Sequence, residues 1–408
     1  RDHRTGGLRG KLLLTRVRGP NVKQKQAAAK KKLRANRDLA LFRALLMQKY
    51  GSLVRAWRRV LDADGSMNVS KAELMKACRT LGFEGNPQLL WYALDGDGSG
   101  ETSLSELDSK AARQLFIFRK FLLGLASTCV EGFGVLYRGK TGSESERSLH
   151  RRITLRGLDS KVYGASEDYV VRSMRGMASR QDKLTREEFY QKIADLGYIG
   201  PIKSLFSALD VYNRKFITAD DVSFLDKWYP PAWLSEEPDF QALERFKSSL
   251  TDFFGSTAVA WRLLLDRDDA NMVSWPEFRQ ACVRMKFEGS AAAVWRALDT
   301  EVAGFITLQV LDPEADSCLS CFKHWAESTF GSVTAAFDAF LPAGRTELTI
   351  REFRLTARQL QYQGETKRLV EYLDLDGAKK LTKHDVLFLE DWHVTPTGNG
   401  GGDGGRKR

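Results

Sequence analysis

Residues 95–106 run Asp95-Gly96-Asp97-Gly98-Ser99-Gly100-Glu101-Thr102-Ser103-Leu104-Ser105-Glu106. A hard cation such as calcium takes roughly six to eight oxygens, and a twelve-residue loop supplies them from positions 1, 3, 5, 7 and 9, with a bidentate Glu at 12. Gly at position 6 permits the sharp turn. Asp95, Asp97, Ser99, the Glu101 carbonyl and Glu106 meet each of these demands, and the pattern is a specific one.

Residues 62–73 repeat the donor set with Asp62, Asp64, Ser66, the Asn68 carbonyl and Glu73, but place Met67 at position 6. A non-glycine residue there is strained at positive φ, unless the turn shifts to use Gly65. Residues 266–277 keep Asp266, Asp268 and Glu277 and offer the Met272 carbonyl, while Ala270 removes one oxygen, so this is a weaker candidate. Five further segments read as loops that have lost the chemistry. The one from Asp210 carries Tyr212, Arg214 and Lys215 where oxygens and Gly belong. The one ending at Glu188 opens on Met177, and the one from Asp299 ends in Val310. The one from Asp374 runs into Ala378, Lys379 and Lys380, where an ammonium can itself fill cation space. The one before Glu352 reads one residue short, because Trp57 and Trp261 lie 16 residues before their Glu and Phe337 lies 15 before its own.

These segments recur at fixed places in a repeat. YGSLVRAWRRVLD (50–62), FGSTAVAWRLLLD (254–266) and FGSVTAAFDAFL (330–341) open three copies, and a fourth lacks the F-G-S opening. In all four, 22 residues separate the Glu (73, 188, 277, 352) from a later Leu-Asp aspartate (95, 210, 299, 374). Between them apolar residues return every three or four positions, as in Leu74, Ala77, Cys78, Leu81 and Phe278, Ala281, Cys282, Met285, the stripe of an amphipathic helix. Strand-like alternation is absent, so the fold class is all-α. Over about residues 45–392 the chain resembles the EF-hand superfamily, the calmodulin-like helix–loop–helix proteins. The resemblance implies a tandem array of four EF-hand pairs with short inter-loop β contacts at loop position 8. The eight position-8 residues are Val69, Thr102, Leu184, Ile217, Val273, Ile306, Leu348 and Leu381; seven are apolar and one is β-branched, which suits half-buried strands.

The net charge of +11 is concentrated at one end: residues 1–50 carry 15 Lys and Arg against two Asp, which leaves −2 for the remainder. Residues 23–37 combine Lys and Arg with an Ala core that favours helix. An apolar stripe follows through Leu39, Phe42, Leu45 and Leu46. Such an arm is expected either to dock on an acidic surface, the chain's own calcium-loaded lobe included, or to stay solvated. No aromatic residue interleaves the basic ones before Phe42, which argues against nucleic acid. Five Cys exclude a disulfide scaffold and suit a reducing, intracellular and cytoplasmic setting; Cys318-x-x-Cys321 reads as helix spacing. The first residue is Arg, so targeting is not read from this end. No apolar run reaches the roughly 20 residues of a membrane helix.

Extra residues fall between the first and second copies, where 138–160 reads as a polar loop with Ser143, Ser145 and Ser148 near arginines. The expected segments are therefore a flexible basic arm (1–36), a calcium-competent pair (37–130), an insertion with a degenerate pair (131–240), a partly degenerate pair (241–316), a degenerate pair (317–394) and a Gly-rich tail (395–408). No nucleotide-binding, hydrolase or zinc-protease motif is present and the five His are scattered, so no enzyme is expected. The expected activity is Ca2+ binding in the first pair, with Glu73 and Glu106 pulling on their helices to expose an apolar face near Leu74 and Trp91 for a protein target. The alternative is a structural scaffold with vestigial loops and a basic arm on an acidic partner. A third possibility is the regulatory part of a larger enzyme.

Overall fold

A computed structural model describes residues 22–138, 183–375 and 377–392. The chain is mainly helical, with four two-stranded antiparallel ribbons as its only sheets among the described residues. The basic segment 1–21, the polar loop with its three serines, residues 177–182 of the loop opening at Met177, Asp376 and the tail 395–408 lie outside the described residues.

One punctuation mark organises the repeat. The Y/F-G-S tripeptide ends one helix and starts the next: Gly51, Gly255 and Gly331 take φ of 72°, 85° and 83°. A Cβ-free residue adopts this left-handed stop without penalty. In two copies the Ser that follows caps the next helix, Ser256 Oγ accepting from Val259 N–H (3.2 Å) and Ser332 Oγ from Ala335 N–H (3.0 Å), whereas the Ser52 side chain makes no cap bond. The helix before this mark is a connecting helix, spanning Val22–Tyr50, Phe240–Phe254 or Pro313–Phe330, and Ser109–Leu125 takes the same place in the copy without the mark. In the first, Ala35, Leu39, Phe42 and Leu46 are buried at helical spacing. Residues 22–36 are thus helix rather than a flexible arm. The expected boundaries at 36/37, 130/131 and 316/317 all fall inside helices, because the charge and loop signals that set them do not coincide with the Gly-Ser breaks.

Each connecting helix leads to a short helix, a loop and a strand, then a second helix, a third helix, a loop and a strand. In the second copy the short helix is Cys129–Arg138, packed against the connecting helix Ser109–Leu125 so closely that a Cβ on Gly132 would lie 2.4 Å from the Leu122 carbonyl oxygen. The extra residues therefore follow Arg138. The element expected as a fourth full helix is a single turn in every copy: Leu104–Leu107, Ala219–Val222, Leu308–Leu311 and Lys383–Leu387. In the first and third copies an Asp breaks it. Asp108 and Asp312 leave helical geometry (φ −152° and −146°) and cap the next connecting helix through Ala111 and Ala315 N–H, both at 3.0 Å.

The ribbons pair Val69 with Thr102, Leu184 with Ile217, Val273 with Ile306 and Leu348 with Leu381. All eight side chains are buried, and Trp57, Phe189, Trp261, Trp295 and Phe353 are among the largest fully buried side chains. Cys78 and Cys282 are buried thiols of the helix stripe. Of the described residues, those within Arg34–Glu237 and Asp299–Gly304 form one compact unit; those within Arg1–Leu33, Pro238–Leu298 and Phe305–Arg408 form the other. Among them no helix is long and apolar enough to cross a membrane.

Candidate functional site: the paired loops

The first pair builds two loops on one hydrogen-bond plan. Asp62 Oδ1 accepts from Met67 N–H (3.1 Å) and Ser66 Oγ (3.3 Å), as Asp95 Oδ1 accepts from Gly100 N–H (3.2 Å) and Ser99 Oγ (3.4 Å). Position 3 receives the position-5 amide: Ser66 N–H to Asp64 Oδ1 (3.1 Å) and Ser99 N–H to Asp97 Oδ1 (3.0 Å). The position-7 carbonyls of Asn68 and Glu101 each accept from that serine's hydroxyl at 2.8 Å. These bonds gather Asp62, Asp64, Ser66 and Asn68 in one loop and Asp95, Asp97, Ser99 and Glu101 in the other, while Glu73 and Glu106 bond to the position-9 serines. The backbone is left-handed at positions 4 and 6 of both, at Gly65 and Met67 (φ 71° each) and at Gly98 and Gly100 (70° and 84°). The Met67 loop does not shift its turn to Gly65; it uses both positions, with the Met67 side chain buried.

Burial governs the acids. Desolvation pushes Glu106 up to about 7, against the opposing pull of the Ser103 N–H, and pushes Asp62 up to about 6. In both, burial disfavours the charged form of the carboxyl. Exposed Asp64 is instead lowered by the Ser66 N–H.

The position-12 acid has a second job that spacing alone did not disclose. In seven loops it is the third residue of a capping box: Glu73, Glu106, Glu188, Asp221, Glu277, Glu352 and Asp385 accept from the position-9 Ser or Thr amide. Val310 stands in the eighth. The signature Ser/Thr-x-x-Glu was visible in the sequence. It explains why an acid persists at position 12 in loops that lack the other oxygens.

The cap uses one carboxylate oxygen, and the other divides the loops into two kinds. Glu73 accepts at 2.8 Å (Ser70 N–H) and Glu106 at 2.8 Å (Ser103 N–H), both through Oε2. Glu277 likewise gives Oε2 to Ser274 N–H (2.8 Å), but its Oε1 takes the Lys32 ammonium at 2.8 Å. Glu352 gives Oε2 to Thr349 N–H (2.8 Å) while Oε1 takes Arg345 at 2.7 Å, and Asp221 is paired with Arg214 from its own loop through Oδ2, the same oxygen that accepts from Thr218 N–H. In the loop from Asp374, Lys379 donates only its backbone N–H to that aspartate, at 3.1 Å, among the contacts of the described residues, and Lys380 reaches Glu347 at 2.5 Å. Among the described residues no ion pair engages Asp62, Asp64, Glu73, Asp95, Asp97 or Glu106.

Sequence reasoning missed Lys32 because it lies more than 230 residues from the loop it enters. It also misplaced the deficit before Glu352. Trp57–Leu61 and Trp261–Leu265 are π-helical, closed by Asp62 N–H to Trp57 O (2.8 Å) and Asp266 N–H to Trp261 O (2.7 Å), five residues back. Such a turn holds one extra residue. Val333–Phe340 is plain α-helix, so residues 341–352 form a loop of ordinary length, with Gly344 left-handed at position 4 (φ 78°).

Among the described residues no group of three or more His, Cys, Asp or Glu side chains converges as a metal centre, and this includes the carboxylate sets Asp62, Asp64, Glu73 and Asp95, Asp97, Glu106. No protein-family model, curated protein or solved structure matches the chain.

Proposed function

We propose that the four ribbons mark EF-hand pairs and that the chain binds two calcium ions, one at 62–73 and one at 95–106. One observation carries this reading: these loops keep an oxygen-rich donor set and a position-12 Glu that no basic side chain among the described residues pairs with, whereas three other loops pair that acid with Lys32, Arg214 or Arg345. Asp62, Asp64, Ser66, the Asn68 carbonyl and Glu73 would hold one ion; Asp95, Asp97, Ser99, the Glu101 carbonyl and Glu106 the other. An affinity on the order of 10⁻⁷–10⁻⁵ M is usual for sensor loops, and the chain would act as a calcium-responsive, non-catalytic interaction module.

Calorimetric titration of the metal-free chain with calcium, in millimolar magnesium, tests the proposal. The expected result is two sites, both lost when Glu73→Gln and Glu106→Gln are combined. Gln can preserve the capping box, so the loss would report the cation ligand and not the helix start. Absence of binding would leave the position-12 acids as caps alone and turn attention to a scaffold role.

A further inference from the structure

Loop 266–277 already holds a cation. Lys32, on the helix Val22–Tyr50 and within the same compact unit as this loop, is little exposed. Its Nζ lies 2.8 Å from Glu277 Oε1, 3.2 Å from the Met272 carbonyl oxygen, and 3.3 and 3.5 Å from the two oxygens of Asp268. These are loop positions 12, 7 and 3. An ammonium has three N–H donors and no acceptor, and three loop residues receive them.

The position-1 acid, Asp266, is buried and accepts from Ala270 N–H (2.8 Å) and Asn271 N–H (2.9 Å). Ala270 stands where the first pair has Ser66 and Ser99, so this loop offers a divalent ion one oxygen fewer while still enclosing several acids. Burial alone would lower the Lys32 pKa, but Glu277, Asp268 and Asp266 outweigh it and the net direction is up. Lys32 is therefore charged at neutral pH.

We propose that Lys32 is the tethered occupant of the cation position in loop 266–277: it docks the basic helix there and competes with calcium for the same oxygens. The loop is then a latch for the chain's own N-terminal helix, and calcium entry and helix docking exclude one another. The other basic–acid pairs, Arg214–Asp221 and Arg345–Glu352, lie within their own loops. Only the Lys32 pair, among these three, ties a distant element down.

The test is independent of the first pair. In the full chain carrying Glu73→Gln and Glu106→Gln, calcium is titrated calorimetrically with and without Lys32→Met, which keeps an apolar stem and removes the ammonium. Lys32→Met should tighten calcium binding by roughly tenfold or more, a change of about 1.4 kcal/mol per factor of ten, and adding Glu277→Gln should abolish the gain. In the otherwise unaltered chain, Glu277→Gln should speed amide hydrogen exchange in residues 27–33 by a similar factor. If circular dichroism shows Lys32→Met folded and calcium affinity is unchanged, the competition is overturned. If exchange in 27–33 does not respond to Glu277→Gln, the latch is overturned. Neither result depends on whether 62–73 and 95–106 bind.

Discussion

Met67 sets two effects against each other at a single residue. Left-handed backbone at a non-glycine residue costs roughly 1–2 kcal/mol, while deleting a buried Met side chain costs about 2–5 kcal/mol. Burial wins, so Met67→Gly should destabilise the metal-free chain by about 1–3 kcal/mol in denaturant titration; a more stable variant would mean that the buried side chain contributes little. Glu352 offers a cleaner electrostatic test. The Thr349 N–H, the Arg345 guanidinium and the Thr349 hydroxyl together hold its carboxyl down at about 2, against an ordinary value of 4.5. A depressed carboxyl stabilises the fold fully above 4.5 and loses that contribution as pH falls toward 2. An NMR titration should show the Glu352 carboxyl moving back toward its ordinary value in Arg345→Met; an unmoved titration would put the bidentate pair in doubt.

At the scale of elements, the working parts are the breaks between helices. Asp108 ends a one-turn helix and starts the 17-residue helix Ser109–Leu125 through a single side-chain bond to Ala111 N–H. Asp108→Ala should cost about 1 kcal/mol, read from the urea midpoint, with Asp108→Asn restoring most of it. The one-turn exit also bears on how calcium would act. A pull on Glu106 moves Leu104–Leu107 before anything longer, whereas Glu73 sits at the start of the 11-residue helix Lys71–Leu81. Exposure of the apolar face near Leu74, which is fully buried in this structure, is therefore expected to depend more on Glu73 than on Glu106. Binding of a hydrophobic dye in calcium, compared between Glu73→Gln and Glu106→Gln, distinguishes the two; equal loss would assign both helices the same lever.

For the whole molecule, the proposed sites predict a stability that depends on calcium in one unit. A ligand that binds only the folded state adds about 2.7 kcal/mol at a free concentration 100 times its Kd. Calcium should therefore slow hydrogen exchange in the described residues of 34–237 and leave 238–298 and 305–392 unaffected in the micromolar range. Protection spreading equally over both sets would contradict the confinement of binding to the first pair.

The sequence by itself determined the helical class, the fourfold repeat and the register of all four ribbons. Those features rest on short-range spacing: a heavy apolar stripe, a Gly-Ser break and a β-branched or apolar residue at position 8 each act within a few residues. The two donor-complete loops were legible for the same reason, since their oxygens are consecutive. Tertiary structure alone decided what fills the loops that lost donors. Lys32 and Glu277 meet only because residues 22–33 and the loop share one compact unit, and no local pattern encodes a contact across that separation. It also decided where one residue is gained or lost. Spacing counts residues without saying whether an extra one lies in a loop or in a π turn, whereas the hydrogen bond from Asp62 back to Trp57 places it in the helix.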